Sequence, residues 1–181
     1  MPERTPRKLN AQALWEYALR LLSARAYAIA ELRDKLLRRA ENPGDVSPVL
    51  SRLKEYGYVN DERFAQSYSA ARLENEGFGK QRVLHDLRKR RVARAVAEKA
   101  VDAIYAEADE LQLIEKFVRR KFRNIPLEQY LAEPKHLAAA YRRLRSAGFS
   151  SGNVVRMLKR FARDPDMLDS LEPPEEGPEA G

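Results

Sequence analysis

The 181-residue chain contains no cysteine, which rules out disulfides and thiolate metal sites and fits a reducing, cytoplasmic setting. Its two histidines, His85 and His136, are 51 positions apart and fall on different expected helices. Both are therefore expected to be surface helix residues rather than ligands or bases. No run approaches the roughly 20 apolar residues that a membrane span needs. Met1 to Lys8 is charged and contains proline, and no apolar stretch follows it, so no secretory leader is expected. Gly-x-Ser-x-Gly elbows, P-loops and dinucleotide fingerprints are all missing. Gly77-Phe78-Gly79 looks superficially like a phosphate loop, but it joins two helical segments and lacks the following Gly-Lys-Ser/Thr. Strand-like alternation is missing too. No catalytic residue, cofactor site or metal site is expected, and function is expected on a surface rather than in a cleft.

What the chain does contain is helical periodicity that recurs three times. In the first stretch Leu14, Leu19 and Leu22 mark one helix, and Leu32, Leu36 and Leu37 a second. Val46, Val49, Leu50 and Leu53 mark a third, which ends at Gly57-Tyr58. In the second, Phe64, Ala65, Tyr68 and Ala71 share a face up to the break at Gly77-Phe78-Gly79. Val83, Leu84 and Leu87 carry the next helix, and Val92, Val96, Ala100, Val101 and Ile104 the one after, each at the i, i+3, i+4 spacing of one buried stripe. The third opens with Leu111, Ile114, Phe117, Val118 and Phe122 and stops at Asn124-Ile125-Pro126, since proline lacks an amide hydrogen and disfavours helix before it. An inserted turn from Tyr130 to Pro134 precedes Leu137, Ala140, Tyr141 and Leu144. Gly148-Phe149 then leads to Val154, Val155, Leu158 and Phe161.

The expected fold is all-α: a tandem array of three three-helix, helix-turn-helix-like repeats forming an elongated, curved molecule. Residues 1–12 are read as a flexible N-terminal segment, and 13–60, 61–108 and 109–163 as the three repeats. Asp61, and Ser150 or Ser151, stand where a helix N-cap is wanted. Gly57, Gly77 and Gly148 stand where a left-handed C-cap is wanted.

The charge is uneven. The chain carries 34 Lys and Arg against 27 Asp and Glu. From Asp164 onward there are seven acidic residues and no basic one, so the preceding body holds all 34 basic residues against 20 acidic. Residues 164–181, with four prolines, are read as a disordered acidic tail. The body suits a polyanion or an acidic protein surface. Its basic residues also recur by face: Lys116, Arg119, Arg120 and Arg123 lie opposite Leu113, Ile114 and Phe117, and Arg156, Lys159, Arg160 and Arg163 lie opposite Val155, Leu158 and Phe161. Lys80, Arg82, Arg88, Lys89, Arg90, Arg91 and Arg94 cluster in the second repeat. Any water-facing helix side is charged, but like charges one turn apart repel by a few tenths of a kcal/mol. Several basic stripes with few acidic neighbours therefore favour a functional role. The aromatics Tyr27, Tyr56, Tyr58, Phe64, Tyr68 and Phe78 could stack on bases, but most sit at core-facing spacing, and packing is the expected role for them and for Trp15.

One set of residues resembles a known family. Ala18-Leu19-Arg20-Leu21-Leu22, Arg25-Ala26-Tyr27, Glu31-Leu32-Arg33-Asp34-Lys35-Leu36, Gly57-Tyr58-Val59-Asn60-Asp61-Glu62-Arg63-Phe64-Ala65 and Gly77-Phe78-Gly79-Lys80-Gln81-Arg82-Val83 with Leu87 are similar to the bacterial RecX regulators of the RecA recombinase. They span most of residues 13 to 104, and the Gly148-Phe149 unit fits a third repeat. The chain departs from that pattern at Arg90-Arg91-Val92, where the family often has Lys-Gly before the apolar residue, so that turn is expected to cap differently. The acidic tail is an extension beyond the shared pattern.

The resemblance implies a non-enzymatic negative modulator. It would lie along the RecA filament on single-stranded DNA and limit filament extension, strand exchange, ATP hydrolysis and co-protease activity. Its implied partners are the RecA filament and single-stranded DNA, with no membrane, and a monomer is expected. On charge, the candidate contacts are Arg82, Arg88, Lys89, Arg119, Arg120, Arg123, Arg156 and Arg160, while the Asp61 region is assigned to capping and packing. The alternative is a direct DNA-binding module whose basic helix, Lys80 to Arg91, enters a major groove without a protein partner.

Overall fold

A computed structural model describes residues 8–162 and Leu168. Among these residues are ten α-helices: α1 (Ala11–Ala24), α2 (Ile29–Arg39), α3 (Val46–Glu55), α4 (Asp61–Ala71), α5 (Lys80–Lys89), α6 (Arg94–Tyr105), α7 (Glu110–Lys121), α8 (Leu127–Leu131), α9 (Pro134–Ser146) and α10 (Ser151–Leu158). The fold is all-α and built of helical repeats. No strand forms among the described residues beyond one isolated bridge between Leu9 and Ala40.

The chain divides into two compact units, Met1–Ser69 with His85–Ala103, and Ala70–Leu84 with Ile104–Gly181. The boundaries cut through α4, α5 and α6, so the second helical triplet is shared between the units. Periodicity along a helix says which face is buried, but not which neighbour buries it.

In the first unit, α1, α2 and α3 close around Leu14, Ala18, Leu32, Leu36, Val49, Leu50 and Leu53, with Tyr27 and Val59 sealing the core. The Asn10 side chain accepts from the Ala13 amide at 3.0 Å and starts α1. Leu9 lies within the segment expected to be flexible, yet its amide donates to the Arg39 carbonyl and its carbonyl accepts from the Glu41 amide, both at 2.8 Å. Asp61 proves to be the first residue of α4 rather than its cap. Asn60 holds the cap position and accepts from the Arg63 amide at 2.9 Å. The Asp61 carboxylate instead accepts from the Ile29 amide, also at 2.9 Å, and so caps the start of α2 from 32 residues away.

In the second unit, α7, α9 and α10 pack around Ile114, Phe117, Val118, Leu137, Leu144, Phe149, Val154 and Leu158. Asp109 caps α7 by accepting from the Leu111 and Gln112 amides. The turn expected near Tyr130 is the short helix α8, whose Leu131 is buried. His136 is half-buried rather than a surface residue, stacked on the Tyr130 ring at 3.9 Å between centroids. His85 is exposed as expected. Of the stretch read as a disordered tail, only Leu168 is described, and it is fully buried in this core. The rest of that stretch lies outside the described residues.

One form of helix C-cap is used three times. At the ends of α3, α5 and α9, the amides of Tyr58, Val92 and Phe149 donate six-to-one to the carbonyls of Leu53, Leu87 and Leu144. The preceding residue in each case donates to the carbonyl three residues before it, which completes the Schellman pattern. That pattern needs a left-handed residue just before the apolar one. Gly57 (φ +69°) and Gly148 (φ +92°) supply it in two of the three caps, and Arg91 (φ +59°) supplies it in the third. The turn at Arg90-Arg91-Val92 therefore closes with the same hydrogen bonds as the other two, on a residue that pays a steric penalty there.

The strain at Arg91 is about 1 kcal/mol relative to glycine. Its exposed ion pair with Asp34 returns at most about 1 kcal/mol. Arg91→Gly is accordingly expected to leave the denaturant midpoint of unfolding unchanged or slightly raised, whereas Arg91→Val should lower it clearly. A large loss of stability in Arg91→Gly would mean that the ion pair, not the backbone, governs this turn.

Candidate functional site

The eight basic residues singled out by charge fall into two groups by what their side chains touch. Three have structural partners. Arg82 is half-buried, donates to the Ser146 carbonyl at 3.3 Å and lies 5.4 Å from the Phe78 ring centroid. Arg120 donates to the Asn75 carbonyl at 2.8 Å and to the Glu76 carbonyl. Those carbonyls belong to the single π-turn Arg72–Glu76 that follows α4 and ends at Gly77, φ +59°. A guanidinium there answers carbonyls that the helix end leaves unpaired. Arg160 pairs with Glu115 of α7.

The other five, Arg88, Lys89, Arg119, Arg123 and Arg156, are exposed and form no ion pair among the described residues. Arg88 and Lys89 end α5 in the first unit, Arg119 and Arg123 lie in and just past α7 in the second, and Arg156 is on α10. The same division runs through the rest of the basic cluster on α5. Arg90 donates to Glu31 at 2.6 Å and lies 4.9 Å over the Tyr68 ring, and Arg91 pairs with Asp34. The acidic face of α2 thus takes up the two arginines at the α5 turn, while the two residues before them point to solvent.

The start of α10 is organised by one carboxylate. Ser150 occupies the N-cap position, but its hydroxyl donates to Glu110 rather than accepting an amide of α10. Its own amide donates to Glu110 at 2.8 Å, and Asn153 donates to the same carboxylate at 2.5 Å. Burial alone would raise the Glu110 carboxyl. The hydrogen bonds from Ser150 and Asn153, with the nearby Arg145 charge, outweigh it and hold the group below its ordinary value.

A carboxyl depressed by folding stabilises the protein above its unfolded pKa of about 4.3, and that contribution fades as pH falls toward the folded value. Glu110→Gln is therefore expected to cost about 1 kcal/mol near pH 7, after allowance for its solvent exposure. The gap to the parent protein should narrow in thermal melts taken below about pH 4. A gap that does not change with pH would show that shape rather than charge holds α10.

Packing is the expected role of Tyr56 and Tyr58 as of the other aromatics, and here the structure differs. They are 62% and 51% exposed, on either side of Gly57. With the half-buried Trp15 they form a three-ring cluster, with Trp15 centroids 5.9 Å from Tyr56 and 6.1 Å from Tyr58, and the two tyrosines 6.3 Å apart. The Arg52 guanidinium sits 4.2 Å over the Trp15 ring. Tyr56 is the C-cap of α3 and Tyr58 lies beyond it, past the point where helical periodicity says anything about burial. By contrast Tyr27 and Phe64 are buried, and Tyr68 and Phe78 half-buried, as packing requires.

No helix of the described residues is long and apolar enough to cross a membrane. Residues 15–53 match the model of the first three-helix domain of RecX, and residues 60–101 that of the second. The chain is 31% identical over 137 residues to a regulatory protein RecX of Syntrophotalea carbinolica, which covers 76% of this chain and 88% of that protein. It is 34% identical over 173 residues to a regulatory protein RecX of Deinococcus radiodurans, covering 96% of this chain and 76% of that one. The crystal structure of RecX from Lactobacillus salivarius superposes with a TM-score of 0.61 at 20% identity, over 83% of this chain and 96% of its own, a likeness of fold.

Proposed function

Because the chain belongs to the RecX family, we propose that it is a negative modulator of the RecA recombinase, a regulator rather than an enzyme. It binds the RecA filament on single-stranded DNA and limits filament extension, strand exchange, ATP hydrolysis and co-protease activity. The protein acts as a single chain, and its effect on recombination and repair is exerted through the filament.

The observation that carries this reading is the set of cations left uncommitted by folding. Arg88, Lys89, Arg119, Arg123 and Arg156 are exposed and form no ion pair among the described residues, whereas Arg82, Arg120 and Arg160 are engaged with the protein itself. Repulsion among like charges is tolerated where they meet an anionic partner, and cations so placed steer encounter and set register. A major-groove reading of Lys80 to Arg91 draws less support, since Arg90 and Arg91 at the end of that segment are held by Glu31 and Asp34.

Binding to RecA filaments preassembled on single-stranded DNA with a non-hydrolysable ATP analogue tests the proposal, with the same DNA lacking RecA as the control. Retention on the filament is expected at a salt concentration that strips the protein from naked DNA. Equal affinity for both, with the same salt dependence, would replace the filament reading with plain DNA binding.

A further inference from the structure

Tyr56 and Tyr58 are the two most exposed large hydrophobic side chains among the described residues, and they stand beside the only tryptophan in the sequence. The three rings meet at interplanar angles of 66°, 76° and 58°. Contacts of this kind fix the rings edge to face rather than stacked, and the exposure of Tyr56 and Tyr58 leaves ring surface of these two open to a partner.

The turn that carries the tyrosines is tied down by three hydrogen bonds. The Tyr58 amide donates to the Leu53 carbonyl at 2.9 Å, the Gly57 amide donates to Lys54 at 2.9 Å, and the Arg63 guanidinium donates to the Gly57 carbonyl at 2.6 Å. A Cβ built at Gly57 would meet nothing within 4 Å, so the crest of the turn opens to solvent. Arg52, over Trp15 and 5.5 Å from the Tyr56 ring, adds a cation that forms no ion pair among the described residues. The unit as a whole carries 18 Lys and Arg against 12 Asp and Glu.

Exposed tyrosine rings that are not stacked on each other, a guanidinium beside them and a basic surround suit a partner that has flat π faces and a regularly spaced negative backbone. Duplex DNA buries its base faces in the stack. An acidic peptide would answer the charge but leave the rings unused. We infer that Trp15, Tyr56, Tyr58 and Arg52 form a stacking platform for unpaired bases of a single-stranded nucleic acid. The contact needs no RecA and uses none of the cations on α5, α7 or α10, so it stands or falls separately from the filament reading.

The lone tryptophan makes the test direct. Trp15 fluorescence of the full-length protein is followed on titration with an oligothymidylate of about twelve nucleotides, within the range of known single-strand site sizes. A deoxyribose-phosphate oligomer of the same length without bases serves as comparison. Saturable quenching by the oligothymidylate and little by the base-free oligomer is the expected result. In anisotropy titrations with labelled oligothymidylate, Tyr56→Ala and Tyr58→Ala should each weaken binding about fivefold or more, and the Phe variants should retain it. Both tyrosines are exposed, so these variants leave the core intact. Equal quenching by the two oligomers, parent-like binding by both Ala variants, or quenching by an acidic proline-rich peptide and not by the oligothymidylate would each overturn the inference.

Discussion

Gly148→Ala and Gly79→Ala are each expected to destabilise the protein by at least about 3 kcal/mol, lowering its melting temperature by roughly 10 °C, because backbone meets backbone at these two residues. A Cβ at Gly148 would fall 2.2 Å from the Arg82 amide nitrogen and 2.8 Å from its Cα, and one at Gly79 would fall 2.3 Å from the Gly148 carbonyl oxygen. Neither neighbour is the movable end of a side chain. The closeness has a purpose within the second unit. The Gly79 amide donates to the Ala147 carbonyl at 2.8 Å and the Gln81 amide to the Gly148 carbonyl at 3.1 Å. The unpaired amides at the start of α5 are thereby satisfied by the unpaired carbonyls at the end of α9, a solution open only to residues without a Cβ.

Two other glycines calibrate the effect. Gly57 has φ +69° but open space around it, so Gly57→Ala should cost only the left-handed penalty of about 1 kcal/mol. Gly152 lies in α10 with open space and no left-handed backbone, and Gly152→Ala should stabilise by up to about 1 kcal/mol. Equal effects at all four positions in chemical denaturation would show that the close approach is not what those glycines serve.

Removing the uncommitted cations is expected to weaken inhibition strongly without unfolding the protein. A variant carrying Arg88→Ala, Lys89→Ala, Arg119→Ala, Arg123→Ala and Arg156→Ala should need at least about tenfold more protein to halve RecA-catalysed strand exchange, since charges facing a partner act on encounter and register. Its melting temperature should stay within a few degrees of the parent, because exposed charges contribute little to stability. Arg120→Ala, by contrast, leaves the carbonyls of Asn75 and Glu76 without their donor and should act chiefly on stability. Inhibition by the parent should also weaken as ionic strength rises. A fivefold variant that melts like the parent and inhibits like it would remove these residues from the contact.

The parts of this fold legible in the sequence were those set by local chemistry. Helices followed from the 3.6-residue spacing of Leu, Val and Phe, and the left-handed glycines at 57, 77 and 148 from their place at helix ends. What escaped depends on neighbours distant in sequence. Asp61 reads as a cap for the helix that follows it, yet the amide it accepts from is Ile29. Arg91 adopts a backbone conformation that arginine rarely takes, so only the geometry of the other two caps reveals it. Arg82, Arg120 and Arg160 looked equivalent to Arg119 and Arg123 on a helical projection, because a stripe of charge does not reveal a carbonyl or carboxylate brought in from another helix. Tyr56 and Tyr58 were misplaced for a simpler reason: periodicity ends where the helix ends. The sharing of α4 to α6 between two compact units is likewise tertiary information.

ATP hydrolysis by RecA on single-stranded DNA, titrated with this protein at ratios too low to coat the DNA, decides whether the protein acts on the filament. Inhibition is expected at such ratios, with the steady-state rate falling as filament ends are blocked or filaments shorten. Undiminished hydrolysis, or a decline only once the DNA is saturated with the protein, would contradict action on the filament.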